Sequence, residues 1–567
     1  MTSANSVTGA MERLRALTSI VACAAFALVA RGGDASIDDK VDAFIPGLLA
    51  AEPAARKSAL DALQKLGVPA LPSILRAAGR DVGSPAFEAA IAAAAAIDAD
   101  QALAAVQSCR TSWSSLGWLG QAEGRKGRTV VESIEDRLLA ARKVTWSKPA
   151  KLQPATLDDG FRVPPWVDTR VADALPSHLA WADVPCRERS GRLEIDTGLD
   201  GRFATKVEPG RSLVVSVGPK ERARRVLVHS RQGAWYAASP NLLRGDIGRA
   251  AVELLDPEGD GDFTGPADLV RFGDAPFRPL REGPFAWIDG ALVRFRLRRE
   301  DGALTISFMP EPEPRWLDAS SAAGMSALHQ WRSAFGLAPQ RLDAERWRHC
   351  GLHHEFWRLN GFTAHDEYPD SPGYTAEGAR AGQSASAWEV GDGPEFVRRI
   401  GGSVLHRSSL VGRPEDGVGF FVGPRGSLLW GGTIDGGGRG FPVLVPAAGQ
   451  TRVPQNCEPE NPTPSKDPAF YQRAHGFPVS VTWSGLAVRP TAARSLEVFE
   501  PGATKPLPGV TFSEENPYND GFRGGYPDDS VIFVADAPLA ANTLFTARFR
   551  ATGTEGPIEF TWQFRTQ

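Results

Sequence analysis

At 567 residues, with 42 % hydrophobic and 23 % charged residues, the chain is too long for a single core and too apolar for a disordered one, so several globular domains are expected. A formal net charge of -4 and a pI near 6.2 leave no positive footprint for a polyanion, which excludes nucleic acid as an expected partner. Its 59 Gly, 44 Pro and 15 Trp point to many turns and short strands.

Arg13 and Arg15 precede an apolar run from Ala16 to Ala30 that ends at Arg31-Gly32-Gly33-Asp34. That order is the secretory pattern, with Met11 an alternative start, so residues 1–35 read as a signal peptide and a secreted, periplasmic or envelope location follows. The run is short for a bilayer span, and no second one follows, so no transmembrane span is expected in the mature chain. Ile20-Val21-Ala22-Cys23 resembles a lipobox with Cys23 as the lipid-anchor site; the apolar run continues past it, which favours an ordinary signal cysteine. Cys109, Cys186, Cys350 and Cys457 show no C-x-x-C spacing, against a thiolate zinc site and a dense disulfide framework.

Residues 36–149 carry Ala, Leu and Ile at helical spacing between Gly and Pro breaks, as in Phe44 to Leu49 and Ala59 to Leu63. Either a short HEAT-like helical pair or a small helical bundle fits that pattern. From 150 to 318 the pattern becomes alternating, as in Ser212 to Val217 and Ala291 to Leu297, and a β-rich domain is expected. Leu193-Glu194-Ile195-Asp196 to Asp200-Gly201-Arg202-Phe203 and Leu254-Leu255-Asp256 to Asp260-Gly261-Asp262-Phe263 share a shape that a duplicated strand-turn-strand unit would give. The second stretch approximates a calcium loop, with Asp256, Glu258, Asp260, Asp262 and Asp268 as candidate oxygen ligands. Ala267 stands where an EF-hand has Glu, Pro257 interrupts the loop and no helices flank it, so a plain Asp-Gly turn is the competing reading. Residues 451–470 are Pro-rich and read as an extended linker. The alternating runs after it, over 476–567, predict an Ig-like β-sandwich.

Six of the nine histidines, His329, His349, His353, His354, His365 and His406, fall in one window of under eighty residues. Asp343 to Leu359 is helical in pattern, with Trp347 and Trp357 expected in its core and His349 and His353 one turn apart. His354-Glu355-Phe356-Trp357-Arg358 begins like a zinc-protease helix, but Arg358 stands where the second ligand must be. No G-x-S-x-G elbow occurs, and the Gly-rich run 431–438 lacks the Lys-Ser/Thr that holds a nucleotide phosphate.

Leu328 to Arg332, Gly336 to Pro339, His365, Pro372 to Gly378, Ser403-Val404-Leu405-His406-Arg407 and Gly417-Val418-Gly419 follow one another in an order that resembles the CAP superfamily (cysteine-rich secretory, antigen and pathogenesis-related proteins). The resemblance covers 322–440, about a fifth of the chain. It implies an α-β-α sandwich whose cleft holds two His and two Glu; His365, Glu377 and His406 carry over, and Glu389 and Glu395 are alternatives for the fourth place. Two imidazoles and a carboxylate at a cleft can bind zinc or another divalent cation or handle protons.

The expected architecture is therefore multidomain α+β: helical HEAT-like segment, β-rich middle domain, α-β-α CAP-like domain and C-terminal β-sandwich. The expected function is a ligand-binding or interaction module for a small apolar ligand, a peptide or a cell-wall component. A metal-assisted hydrolase working from the same cleft is the alternative.

Overall fold

The computed structural model describes most of residues 36–567. Outside it lie residues 1–35, with the expected signal peptide and Cys23, and several internal stretches, the longer being 76–83, 109–133, 139–146, 156–163, 432–441, 484–489 and 514–529. The chain is multidomain with both helices and antiparallel sheets, and it divides into two compact units: one ends at Trp146 and includes Pro314–Trp316, the other comprises Ser147–Glu313 and Leu317–Gln567. Among the described residues no helix is long and apolar enough to cross a membrane.

The first unit is helical. Helix α1 (Ile37–Leu48) starts at a capping box in which Ser36 and Asp39 bond each other's backbone N–H, satisfying two donors that the first turn otherwise leaves unpaired. Helix α2 (Pro53–Leu66) opens on Pro53 and stops at Gly67, whose φ of 67° suits glycine. Helix α3 (Pro85–Ser108) kinks at Asp98. Val41, Ala59, Leu63, Phe87 and Ile91 form the apolar interior between them.

The second unit begins with two matching β-modules, one nested in the other. Strands β1 (Ala150–Lys151) and β2 (Gln153–Pro154) come first, then β3 (Thr169–Val171), β4 (Ala174–Leu175), β5 (Val184–Arg189), β6 (Arg192–Ile195), β7 (Thr205–Val207), β8 (Ser212–Val217), β9 (Arg224–Arg231) and β10 (Ala234–Ala238). They are followed by β11 (Asn241–Ile247), β12 (Ala250–Asp256), β13 (Leu269–Phe272), β14 (Arg278–Pro279), β15 (Phe285–Ile288), β16 (Ala291–Glu300) and β17 (Ala303–Pro310). The inner module has sheet orders β4-β5-β6-β7 and β3-β10-β9-β8; the outer has β2-β11-β12-β13-β14 and β1-β17-β16-β15. Apart from β14 the two topologies are the same.

The correspondence reaches individual side chains. In the middle strand Glu194 lies between Arg187 and Lys206, and Glu253 lies between Arg244 and Arg271, each carboxylate pairing with both bases. Opposite charges across neighbouring strands stabilise the sheet face and fix its register. At the end of each middle strand an aspartate is buried. Asp196 accepts from Asp200 and Gly201 N–H, and Asp256 from Gly259 and Gly261 N–H. Gly201 and Gly261 sit at φ 79° and 81°, a conformation other residues avoid.

Helices α4 (Ala319–Ala334), α5 (Ala344–Asn360), α6 (Ala376–Ser384) and α7 (Gly393–Gly402) surround a sheet of order β18-β20-β19, from β18 (Ser386–Trp388), β19 (Gly419–Gly423) and β20 (Gly426–Trp430). Alternation along the strands splits the apolar residues between two faces. Phe420, Val422 and Leu429 pack against Met325 and Leu328 of α4 and Phe396, Val397 and Ile400 of α7. Phe421, Leu428 and Trp430 pack against Cys350, Phe356 and Trp357 of α5 and Ala381 and Ala385 of α6.

The C-terminal module has two sheets: β21-β22-β25-β24, from β21 (Val443–Val445), β22 (Val479–Thr482), β24 (Gly509–Phe512) and β25 (Ser530–Ala535), and β23-β26-β27, from β23 (Pro490–Phe499), β26 (Leu544–Gly553) and β27 (Gly556–Arg565). Its first strand, β21, precedes the expected linker. Within residues 451–470, read from their prolines as an extended linker, Val453, Glu460 and Phe470 are buried. Val453 is buried and bridges Thr566, and Cys457 N–H bonds the His475 carbonyl. Phe335, Leu337 and Val411 of the preceding module enter the sandwich core, so the two share apolar interior.

Candidate functional site

Two of the motif residues, Arg332 and Arg407, act as anchors. Arg332, fully buried, donates through Nε to the Ala338 carbonyl (2.7 Å) and through one terminal nitrogen to the carbonyls of Leu410 (2.6 Å) and Gly412 (2.8 Å). One planar guanidinium thereby ties the loop after α4 to the turn after His406. Arg407 donates to the Gly401 and Pro478 carbonyls and lies over the Phe477 ring. Arg407 is turned inward as an anchor, and His406 occupies the neighbouring, less buried position.

His365 lies in the connection between α5 and α6. Its Nδ1 is 2.7 Å from the Gly382 carbonyl, an acceptor only, so Nδ1 carries the proton and Nε2 keeps a lone pair. The residue is exposed overall, yet desolvation of the ring holds the imidazole below its ordinary value; the Gly382 bond opposes this, and His406 and His353 add to it.

His406 opens a 3-10 turn, His406–Leu410, and α7 stops before it at Gly402. Its Nδ1 is 2.7 Å from Glu460 Oε2, and the Trp388 ring stands edge-on to it at 5.7 Å. Ser409 Oγ donates to the His406 carbonyl and accepts from Ser386 Oγ. Among the described residues neither His365 Nε2 nor His406 Nε2 has a hydrogen-bond partner.

Beneath His365 a fully buried pair holds its segment. His353 Nδ1 lies 2.7 Å from Glu367 Oε1, and His353 Nε2 lies 2.8 Å from the Ala364 carbonyl, both side chains being sealed from solvent. Glu367 Oε2 also accepts Thr375 N–H, at 3.1 Å. Helix α6 can cover the pair because Gly378 and Gly382 face it: a Cβ at Gly382 would fall on the His353 ring and the His365 carbonyl, and one at Gly378 on the Glu367 carboxylate. His349 and His353, one turn apart on α5, are both buried.

No family model, curated protein or solved structure matches the chain.

Among the described residues no hydrogen bond joins either imidazole to the other expected residues, Glu377, Glu389 and Glu395. Glu377 stands in the first turn of α6, and its charge is felt by His349 on α5. Glu389 accepts from Thr363. Glu395 is engaged by Arg398 and Arg399 on α7, whose hydrogen bonds hold its carboxyl down to about 2. Among the described residues no group of three or more His, Cys, Asp or Glu side chains is placed to hold a metal ion.

In the Asp-Gly loop, Asp256 spends both oxygens on backbone N–H groups and Asn241. Asp268 accepts Gly265 N–H, Asp260 and Asp262 accept within the loop, and Glu258 is exposed. Burial first, then the charges of Asp256, Asp260 and Asp262, push the Asp268 carboxyl up to about 7, against the Gly265 bond.

Sequence reading missed Glu367 and Glu460 as partners. Glu367 is two residues beyond His365, and the Gly378/Gly382 pair one turn apart on α6 is the local sign of a close approach. Glu460 is 54 residues from His406, and nothing local marks it.

Proposed function

We propose that residues 322–440 are a CAP-like module of a secreted or envelope-associated protein, and that its cleft at His365 and His406 binds a ligand. The observation that carries this reading is the shared state of the two rings. Each commits Nδ1–H to a protein acceptor and leaves Nε2 as an uncommitted lone pair. Two uncommitted acceptors suit a ligand with O–H or N–H donors, such as a cell-wall saccharide or peptide, better than a small apolar one. Helices on both faces of a small sheet and the anchoring by Arg332 and Arg407 are consistent with the family reading. The Arg-led apolar run before Arg31 supports export.

Zinc or another divalent cation is the second occupant to weigh. A histidine whose Nδ1–H is held by an acceptor is oriented as metal-bound imidazoles are, but two imidazoles fall short of the three protein ligands of a catalytic zinc site. No hydrolytic step is derived from them.

The test is the double substitution His365→Ala/His406→Ala in the full chain. Soluble muropeptides should bind the parent protein and lose affinity for the variant by at least about tenfold, while near-UV circular dichroism is unchanged. Stoichiometric zinc in chelator-free protein that the double variant lacks would replace this reading with the metal-dependent one. For export, the mature terminus should fall after Ala30 or near Ala35; an intact Met1 or Met11 on cytoplasmic protein would refute it.

A further inference from the structure

The stretch that reads as a linker brings a buried carboxylate against His406. Glu460 has a side chain sealed from solvent and collects five donors. Its Oε1 accepts Val404 N–H (2.8 Å), Leu405 N–H (2.8 Å) and Tyr471 Oη–H (3.2 Å). Its Oε2 faces His406 N–H (3.0 Å) and His406 Nδ1 (2.7 Å). Three consecutive backbone donors on one carboxylate fix the course of the chain into the 3-10 turn. An ionised carboxylate is an acceptor only, so the ring meets it with a proton on Nδ1.

We propose that Glu460 is the positioning residue of the cleft, holding His406 as the Nδ1–H tautomer with its Nε2 lone pair available to the ligand. The site is then built from two modules. The CAP-like stretch supplies the two imidazoles, and the segment packed on the C-terminal sandwich sets the state of one of them. A carboxylate behind an imidazole fixes both ring orientation and tautomer, and here it does so from outside the stretch that carries the family resemblance. The inference rests on the ligand-binding reading for its purpose, but its test needs no ligand.

The experiment is imidazole nitrogen-15 NMR on the full chain near pH 8, with His406 assigned by its loss in His406→Ala. In the parent protein Nδ1 should appear as the protonated nitrogen and Nε2 as the unprotonated one, with at least about a tenfold excess of that tautomer, which corresponds to about 1.4 kcal/mol. In Glu460→Gln the amide oxygen, in the place of Oε1, can still accept the Val404 and Leu405 N–H groups, while the NH2, in the place of Oε2, donates to the ring and leaves His406 N–H without that acceptor. That arrangement favours the Nε2–H tautomer, and the excess should fall or reverse. Glu460→Asp, which keeps a carboxylate, should retain more of the Nδ1–H form than Glu460→Gln. An Nε2–H tautomer in the parent protein, or an unchanged ratio in folded Glu460→Gln, would overturn the proposal. If Glu460→Gln fails to fold, the tautomer of the parent protein decides alone. An Nδ1–H tautomer together with no muropeptide binding would leave the positioning role standing and remove the ligand reading.

Discussion

Replacing Glu367 by Ala should destabilise the module that carries His365 more than a typical surface change does. Glu367 and His353 are both fully buried and 2.7 Å apart, so the substitution leaves a buried imidazole without its partner and takes the acceptor from Thr375 N–H. Removing one member of such a pair costs about 3–5 kcal/mol, within which the orphaned backbone donor accounts for about 1–3 kcal/mol. Denaturant unfolding followed by tryptophan fluorescence reads the loss through Trp357, which donates to the same Ala364 carbonyl as His353. Glu367→Leu combined with His353→Leu should recover much of that loss, because no buried charge is then left unpaired. A cycle of the two single variants and the double should show coupling of at least about 1 kcal/mol. A single variant within about 0.5 kcal/mol of the parent, or a cycle without coupling, would refute the pair as the support beneath His365.

Gly382→Ala should lower stability by about 1–3 kcal/mol or more, since its Cβ would meet the His353 ring and a backbone carbonyl that cannot rotate away; Ser384→Ala on the same helix serves as control in the same melts. His329 is held down to about 4, mainly by burial, with Arg332 adding and the Gln340 carbonyl opposing. Its stabilising contribution is present above the unfolded value near 6.5 and is lost as pH falls from there towards 4, at most about 3 kcal/mol. His329→Gln should flatten that part of the pH–stability profile, and an unchanged profile would contradict it. Asp268 has the opposite sign. With its carboxyl raised to about 7, stability present below pH 4 is lost as pH rises through 7, so Asp268→Asn should unfold later than the parent at pH 8 and alike at pH 4. A rise in the parent's unfolding temperature with millimolar calcium, abolished in Asp268→Asn, would establish the loop as a calcium site.

The alternating runs of the middle region announced strands, and the Asp196/Asp200-Gly201 and Asp256/Asp260-Gly261 stretches announced kinship between two of its turns, because a buried aspartate and a left-handed glycine must be spelled out locally. The nesting was not legible, since β1 and β2 pair with β17 and β11 across an intervening module, and two-residue strands leave no periodicity. Of the helices around His365, the one from Asp343 to Leu359 was readable from its spacing; Asp318, Asp343, Thr375 and Asp392 each cap a helix N-terminus. The linker reading followed from the prolines between Pro454 and Pro468, which fix an extended backbone but do not reveal whether that backbone is solvated or packed. His365 and His406 were named from order along the chain, whereas Glu460 reaches His406 only through tertiary packing.

The central claim is that His365 and His406 face one ligand with free Nε2 atoms. Nitrogen-15 spectra of both rings during titration with a soluble muropeptide test it most directly, with His475, enclosed between the Phe470 and Ala535 carbonyls, as internal control. The two Nε2 resonances should shift together along one binding curve while those of His475 stay fixed. Shifts at neither ring, or at the two rings with different affinities, would contradict the account.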